Sequence, residues 1–169
     1  MSIIHSGRCW KLPDEVSSDQ LIGSHLAFEF DPQILRQHLL EELRPELVRE
    51  AQPGDCIVAG RNFAHGSVHS HPFLAMQAMG LGLIARSMPR GGFRLAVFMG
   101  IPMLTADDTL YDGVNDGDSL EIDYSLGKLR NATTGLEFTV APLAPFLQDI
   151  VASGGGLNYV QRLVKEQPA

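Results

Sequence analysis

Short continuous apolar runs alternate with longer helical patterns along the first two thirds of the chain. The runs predict strands at residues 7–12, 56–59, 83–85 and 101–104. Apolar residues at helical spacing predict helices at residues 33–43, 45–51, 72–79 and 92–99. Alternation of this kind is typical of an α/β domain whose parallel or mixed sheet is flanked by helices.

The last third of the chain has a different pattern. Polar and apolar residues alternate at 119–124, 128–131 and 137–140, which predicts a small antiparallel β-meander. A helix is expected to begin near Pro142 and to stop at glycines 154–156, and a short helix is expected at 157–164. Because no repeat or linker divides the sequence, we expect residues 1–169 to form a single domain.

A polar stretch at residues 13–24 separates the first expected strand from the first expected helix. Its Asp14, Ser17 and Asp19 favour turns and helix caps, so we expect a loop there. The following pair Asp31-Pro32 predicts a helix start, with Asp31 as the N-cap and Pro32 in the first turn.

Composition narrows the classes of function. The formal charge of −7 argues against nonspecific nucleic-acid binding, because that binding relies on Lys and Arg to neutralise phosphates. No apolar run reaches the roughly 20 residues that a membrane span requires. Residues 1–8 lack the charged-then-apolar order of a secretory signal. We therefore expect a cytoplasmic protein that binds neither nucleic acid nor membrane.

Cysteine is scarce in this sequence. Cys9 and Cys56 are the two cysteines, and they do not form a CxxC pair. An iron–sulfur cluster or a structural zinc ion usually takes about three or four protein ligands. Two cysteines are too few for either, so we expect two buried thiols and no metal ligands among the site residues of this chain.

Reactive side chains are densest at residues 62–71, between an expected buried strand and an expected helix start. Glycine in this loop lets a ligand approach the backbone, and the first turn of a helix offers free N–H groups and a partly positive dipole end. A carboxylate or phosphate is expected to bind there. The alternative is that Ser67 is only a helix cap and that His65, His69 and His71 are ordinary loop residues.

Several motifs carry a family resemblance. Residues 58–67 read V-A-G-R-N-F-A-H-G-S and are similar to the family pattern V-A-G-x-N-F-G-x-G-S-S-R-E-H. Residues 85–94 are similar to A-x-S-F-A-R-I-F-Y-R, and residues 7–11, 14–22, 31–32 and 154–157 match further family segments in order. From about Gly7 to Leu163, the chain resembles the small subunits of the isopropylmalate dehydratase branch of the aconitase superfamily.

The resemblance implies a fold and a reaction. The fold is a swivelling β/β/α domain that closes over a large catalytic subunit carrying a [4Fe-4S] cluster. The reaction is reversible removal and addition of water on a small hydroxy di- or tricarboxylic acid, such as isopropylmalate or a related 2-alkylmalate, with the cluster as Lewis acid. The catalytic serine of the family falls on Ser67, where it takes a proton from carbon as an alkoxide.

The departures from the family pattern concern substrate binding. Val68, His69 and Ser70 stand where the family has serine, arginine and glutamate, so a bidentate clamp for a substrate carboxylate is lost. His69 replaces it only as a shorter donor. Arg90 and Arg94 match two family arginines, and we expect them to contact substrate or the large subunit unless they are ordinary surface arginines.

A second departure lies at residues 26–30, where relatives place arginine if the substrate carries an additional carboxylate. Here the loop contains Leu26, Phe28 and Phe30. An apolar loop suits a substrate with an apolar substituent, because a buried carboxylate without a cationic partner is costly. This makes Phe28 a candidate substrate contact, with Val68, His69, Arg90 and Arg94. In the alternative, the three apolar residues alternate as a strand that faces the core.

Three functions remain open on the sequence. The first is a hydro-lyase that is active only when this chain associates with a cluster-bearing large subunit. The second is a non-catalytic or regulatory partner that keeps the swivel fold. The third is a metal-binding protein that uses His65, His69 and His71.

Overall fold

The computed structural model describes residues 2–166, and the strands of this part form one mixed sheet of seven strands. The strands are β1 (Ile4–Leu12), β2 (Cys56–Ala59), β3 (Gly82–Ala85), β4 (Met103–Thr105), β5 (Ser119–Asp123), β6 (Lys128–Asn131) and β7 (Glu137–Thr139). Their order is β4-β3-β2-β1-β5-β6-β7, parallel from β4 to β1 and antiparallel from β1 to β7. The predicted α/β class, mixed sheet and β-meander are confirmed.

Helices connect and flank these strands. They are α1 (Ser18–Leu21), α2 (Pro32–Leu35), α3 (Leu47–Glu50), α4 (His71–Met79), α5 (Arg90–Phe98), α6 (Asp108–Asp112), α7 (Pro145–Ala152) and α8 (Gly156–Glu166), with a 3₁₀ turn at Ser24–Leu26. The expected helices near 72–79, 92–99 and 157–164 are confirmed. Within residues 2–166, no helix is both long and apolar enough to cross a membrane. Residues 1 and 167–169, the ends of the expected single domain, lie outside the described part.

The prediction of a helix at 33–43 is wrong beyond its first turn. Asp31 does cap α2, since its carboxylate accepts from the Gln33 amide at 2.8 Å. The helix ends at Leu35, however, and Leu40 has a φ of 58°, which is incompatible with a right-handed helix. The Leu40 amide instead donates to the Leu21 carbonyl at 2.8 Å. A tertiary hydrogen bond and burial of Leu40 therefore override the helical spacing.

One further local prediction needs correction, and one helix was not predicted. The expected loop at 13–24 contains α1, which Ser17 and Gln20 start with a reciprocal capping box. Helix α6 was not predicted at all, although Asp107 is a regular N-cap whose carboxylate accepts from the Leu110 amide at 2.8 Å. Both helices are short, so their apolar periodicity is too weak to predict them.

The sheet buries both faces of its parallel strands. One face contributes Trp10, Ile57 and Leu83 to a core that the helices cover. The other face contributes Cys9, Cys56, Val58, Ile84 and Leu104, which pack with Leu120, Ile122 and Leu129 of the meander. The sheet must therefore curl so that β5 and β6 lie over the strands that precede them. The predicted burial of both thiols is confirmed.

A buried carboxylate ties β1 to the turn before β2. Asp55 accepts hydrogen bonds from the Arg8 amide at 2.7 Å, the Trp10 indole at 2.9 Å and the Gln52 amide at 3.0 Å. The two chain segments approach so closely that a Cβ on Gly7 would lie 2.5 Å from an Asp55 oxygen. Glycine at position 7 therefore permits the contact that fixes where the pairing of β1 with β2 begins.

The loop after β2 is held by its neighbours on both sides. The Ala64 amide donates to the Val16 carbonyl at 2.8 Å, and the Phe63 amide donates to the Ser87 carbonyl at 3.0 Å. Asn62 and Ala64 both have a positive φ, 55° and 61°. This conformation costs an alanine about 1–2 kcal/mol. The loops that follow β1, β2 and β3 are thus joined into one layer at the carboxyl edge of the sheet.

Replacing the buried carboxylate is expected to destabilise the fold. In Asp55→Ala, the buried Trp10 indole and two part-buried amides lose a charged acceptor, and hydrogen bonds to charged groups contribute about 1.5–3 kcal/mol each. Urea unfolding should therefore show a loss of about 3 kcal/mol or more. Asp149→Ala, which removes an exposed carboxylate from α7, is the matched control and should change stability by less than about 0.5 kcal/mol. Equal stability of the two variants would contradict the role of Asp55.

The positive φ of Ala64 leads to a second prediction about stability. In Ala64→Gly, release of about 1–2 kcal/mol of left-handed strain opposes the loss of a buried methyl, about 0.8 kcal/mol, and a glycine entropy cost of about 0.5–1 kcal/mol. Stability should change by less than about 0.5 kcal/mol. Ala96→Gly, at a buried position inside α5, lacks the compensating strain and should cost about 1.5 kcal/mol or more in the same urea titration.

Candidate active site

A cleft of about 220 Å³ lies between the loop after β2 and the chain that follows α1. One wall comes from Ser67, His69 and His71. The opposite wall is formed by Asp19, Ile22, Gly23, Ser24, Leu26 and Ala27. Both walls follow the carboxyl ends of adjacent parallel strands, β1 and β2, which is where open α/β sheets bind ligands. The structure therefore brings two of the predicted site residues, Ser67 and His69, into one cleft.

Ser67 is exposed and is not a helix cap. Helix α4 begins at His71, its N-cap is Ser70, and no side chain caps it. The alternative role of Ser67 as a cap is therefore wrong. Gly66 has a φ of 88°, and a Cβ built there would meet no atom within 4 Å. Among the hydrogen bonds of residues 2–166, none uses the backbone N–H groups of residues 66–70. Ser67 is thus an exposed residue at the cleft, in a loop whose amide groups are free among the described residues.

His69 and His71 form a hydrogen-bonded pair. Their Nδ1 atoms are 3.0 Å apart, so one ring donates and the other accepts, and the pair carries one positive charge at most. Burial lowers the pKa of His69, and the neighbouring His71 lowers it further, whereas Asp19 raises it. His71 is buried, and its Nε2 has no hydrogen-bond partner among the described residues. His69 is therefore the accessible member of the pair.

His65 lies apart from this pair. Its Nε2 is 3.2 Å from the Glu15 carbonyl and 3.9 Å from the Glu15 carboxylate. In the described part of the chain, no group of three metal-binding side chains includes His65, His69 or His71. The hypothesis of a metal site built from these three histidines is therefore wrong.

The side chain of Val68 lies near the start of helix α5. A Cβ built on Gly91 would lie 3.7 Å from a methyl carbon of Val68, so Val68 reaches the first turn of α5. Arg90 begins that helix and lines a separate pocket of about 340 Å³ with Arg86 and Ser87, at the carboxyl ends of β3 and β4. Arg90 is thus near the loop of Ser67 but outside its cleft.

Arg94 lies one helical turn after Arg90. It lines a shallow apolar depression with Phe98 of α5 and with Leu147 and Ile150 of α7. This depression is distinct from the cleft of Ser67. Contact of Arg94 with substrate stays a prediction, as it does for Val68 and Arg90.

The apolar loop differs from both sequence interpretations. The prediction of a strand at residues 26–30 that faces the core is wrong, because residues 24–26 form a 3₁₀ turn and Phe28 is 96% exposed. Phe28 does not line the cleft, so its contact with substrate stays a prediction. Phe30 instead packs on His71, with ring centroids 4.9 Å apart. Sequence reasoning missed this role of Phe30. It also missed that Asp19 lines the cleft; the capping box of Ser17 and Gln20 was a signal for the helix that carries Asp19.

The charges in the cleft are unusual for a site that takes an acid. Its lining contains one carboxylate, from Asp19, and two imidazoles, but neither Lys nor Arg. The donors that the cleft offers to an anion are the free backbone amides of Ser67 and His69 and the His69 ring. Full neutralisation of a dicarboxylate requires cations from outside this cleft.

Comparisons with known proteins agree with this architecture. No family model matches the chain. The 3-isopropylmalate dehydratase small subunit 1 of Archaeoglobus fulgidus is 40% identical over 159 residues, which cover 93% of this chain and 97% of the relative. The 3-isopropylmalate dehydratase small subunit of Nautilia profundicola is 35% identical and covers 98% of this chain and 99% of the relative.

A solved structure gives the same result. The crystal structure of 3-isopropylmalate dehydratase from Methanocaldococcus jannaschii superposes with a TM-score of 0.88 at 28% identity, covering 96% of this chain and 98% of that chain. Sequence identity of up to 40% over nearly the full length, together with the shared fold, establishes the kinship. The chain belongs to the family of 3-isopropylmalate dehydratase small subunits.

Proposed function

We propose that this chain is the small subunit of a two-chain hydro-lyase that dehydrates and rehydrates isopropylmalate or a related 2-alkylmalate in leucine biosynthesis. The observation that carries the proposal is the cleft lined by Ser67 and His69, whose backbone amides donate no hydrogen bond among the described residues. Family membership supports the reaction class. We further propose that residues 1–169 act as one swivel domain in the cytoplasm.

The cluster of such an enzyme belongs to the partner chain in this proposal. A [4Fe-4S] cluster is held by thiolates. Cys9 and Cys56 are both buried in the core beneath the meander. Burial raises the pKa of Cys56 to about 12 and raises that of Cys9 as well. These residues do not fit a cluster, so a large subunit has to supply every cluster ligand.

The charges of the cleft support a shared active site. A hydroxy dicarboxylic acid carries two negative charges at neutral pH, whereas the cleft offers only amide donors and the weakly basic His69. The large subunit, or Arg90 at the neighbouring pocket, provides the missing cations in this proposal. Closure of the two chains would also exclude water and strengthen these interactions.

Ser67 is the proposed base. The serine takes the proton from the substrate carbon as an alkoxide and becomes a neutral hydroxyl, the electron pair of the C–H bond forms the C=C bond, and hydroxide leaves the adjacent carbon. A Lewis acid on the large subunit would accept that hydroxide, and hydration runs the same steps in reverse. A serine hydroxyl is a very weak base in water, so the site must stabilise the anion. The free N–H groups of residues 66–70 are available donors for that purpose.

Removing the proposed base is expected to abolish turnover. The chain is mixed anaerobically with a reconstituted large subunit of the isopropylmalate dehydratase class, and hydration of the unsaturated acid is followed by absorbance. Ser67→Ala should lower kcat by about 100- to 10,000-fold, the usual contribution of a positioned proton-transfer group. Association with the large subunit, measured by gel filtration, should be unchanged.

The neighbouring serine provides the matched control. Ser70 lies in the same loop and caps α4 without a side-chain hydrogen bond, so Ser70→Ala should retain activity. Full activity of Ser67→Ala would contradict the proposed role of Ser67 as the base. Association of the parent chain without turnover would favour the non-catalytic or regulatory partner.

Restoring the family arginine is expected to improve substrate binding. His69→Arg places a permanent charge in the cleft, whereas the lowered pKa of His69 leaves the parent mostly neutral near pH 7. KM should fall by about tenfold, equivalent to one charge-assisted hydrogen bond. In the parent, KM should rise as the pH rises through the lowered pKa, because the protonated ring binds the carboxylate.

The variant should lose that pH dependence, since arginine stays charged. His65→Arg adds the same charge outside the cleft and should leave both KM and its pH profile unchanged. An equal effect of the two substitutions would mean that overall charge, and not contact at position 69, governs binding.

A further inference from the structure

Three metal-binding side chains converge beside the cleft, on residues to which the proposed reaction assigns no role. They are His25 in the 3₁₀ turn after α1, and His38 and Glu41 in the turns after α2. One ligand atom from each residue lies within 4.8 Å of the other two. Among residues 2–166, no other group of three His, Cys, Asp or Glu side chains meets this distance.

The carboxylate of Glu41 lies between the two imidazoles. Its Oε2 is 2.7 Å from His38 Nδ1, and its Oε1 is 3.6 Å from His25 Nε2. The two rings meet edge to face with their centroids 5.9 Å apart. Each ring thus presents one nitrogen to a different oxygen of the same carboxylate, and the three groups lie close enough together to share one cation.

The backbone holds these residues in place. His38 and Glu41 flank Leu39 and Leu40, which are fully buried, and the Leu40 amide is bonded to the Leu21 carbonyl. The ring of His25 lies over Gly23, where a Cβ would come within 2.7 Å of the ring. With the His25 ring in this position, glycine at position 23 avoids a contact that any larger residue would make with it.

We propose that His25, His38 and Glu41 form a binding site for a divalent transition-metal ion of the zinc class. Two imidazoles and one carboxylate are ligands that suit zinc, and water would complete a tetrahedral shell. Ca²⁺ and Mg²⁺ prefer shells of oxygen ligands and fit poorly. The metal would replace the proton between His38 and Glu41.

The site would also fix one wall of the cleft. His25 belongs to the same turn as Leu26 and adjoins Ala27, and both of these residues line the cleft opposite Ser67. Metal binding would tie this turn to the segment after α2, which packs through Leu39 and Leu40 into the helical core. The metal site itself does not rest on the proposed hydro-lyase activity.

Calorimetric titration of the untagged full chain with Zn²⁺ tests the site. We expect one ion per chain. His25→Ala and Glu41→Gln should each weaken binding by about tenfold or more, since even groups that only support a ligand contribute about 10- to 100-fold in affinity. Glu41→Gln keeps the side-chain shape, and far-UV circular dichroism checks that each variant is folded.

Two controls make the result specific. Glu42→Gln removes the adjacent exposed carboxylate, and His69→Ala removes the accessible histidine of the cleft. Both should bind Zn²⁺ like the parent. Absence of saturable binding, binding that survives in His25→Ala and Glu41→Gln, or loss of binding in His69→Ala would overturn the proposal.

Hydrogen exchange tests the effect on the cleft wall. Zn²⁺ should slow amide exchange at residues 24–27 in the parent chain and leave it unchanged in Glu41→Gln. Unchanged exchange in a parent chain that binds one ion would overturn the proposed coupling to the cleft.

Discussion

The parallel pairing of β1 with β2 is the constraint on which the rest of the structure depends. The buried Asp55 carboxylate holds the beginning of this pair through hydrogen bonds to Arg8 and Trp10. Because the two strands then run in the same direction, their ends bring two distant loops together. One loop carries Ser67, and the other carries the opposite cleft wall. The cleft is therefore a consequence of strand register as much as of its lining residues.

Regular patterns in the sequence were sufficient to predict the main strands and helices. Four apolar runs, the alternation around Leu120 and the spacing of apolar residues in α4 and α5 predicted the sheet and its main helices, because burial on a defined face imposes a period. The scarcity and spacing of cysteine correctly indicated buried thiols. The motif around Ser67 predicted that this residue lies in an open loop before a helix.

Details that depend on tertiary contacts could not be predicted from the sequence. Nothing local indicates that Leu40 adopts a left-handed conformation, because its partner is the Leu21 carbonyl. The same holds for Phe30, which packs on His71 from a loop about forty residues earlier in the chain. His25, His38 and Glu41 have no motif spacing, and they converge only because the chain folds back after α2.

The curl of the sheet has a chemical consequence for the isolated chain. The meander covers both sulfur atoms, so the folded protein presents no thiol to oxygen, peroxide or free iron. In an assembly of the proposed type, oxidation of cluster-ligating thiols would then concern the partner alone. The two thiols of this chain would stay reduced while a cluster on the partner is lost and rebuilt.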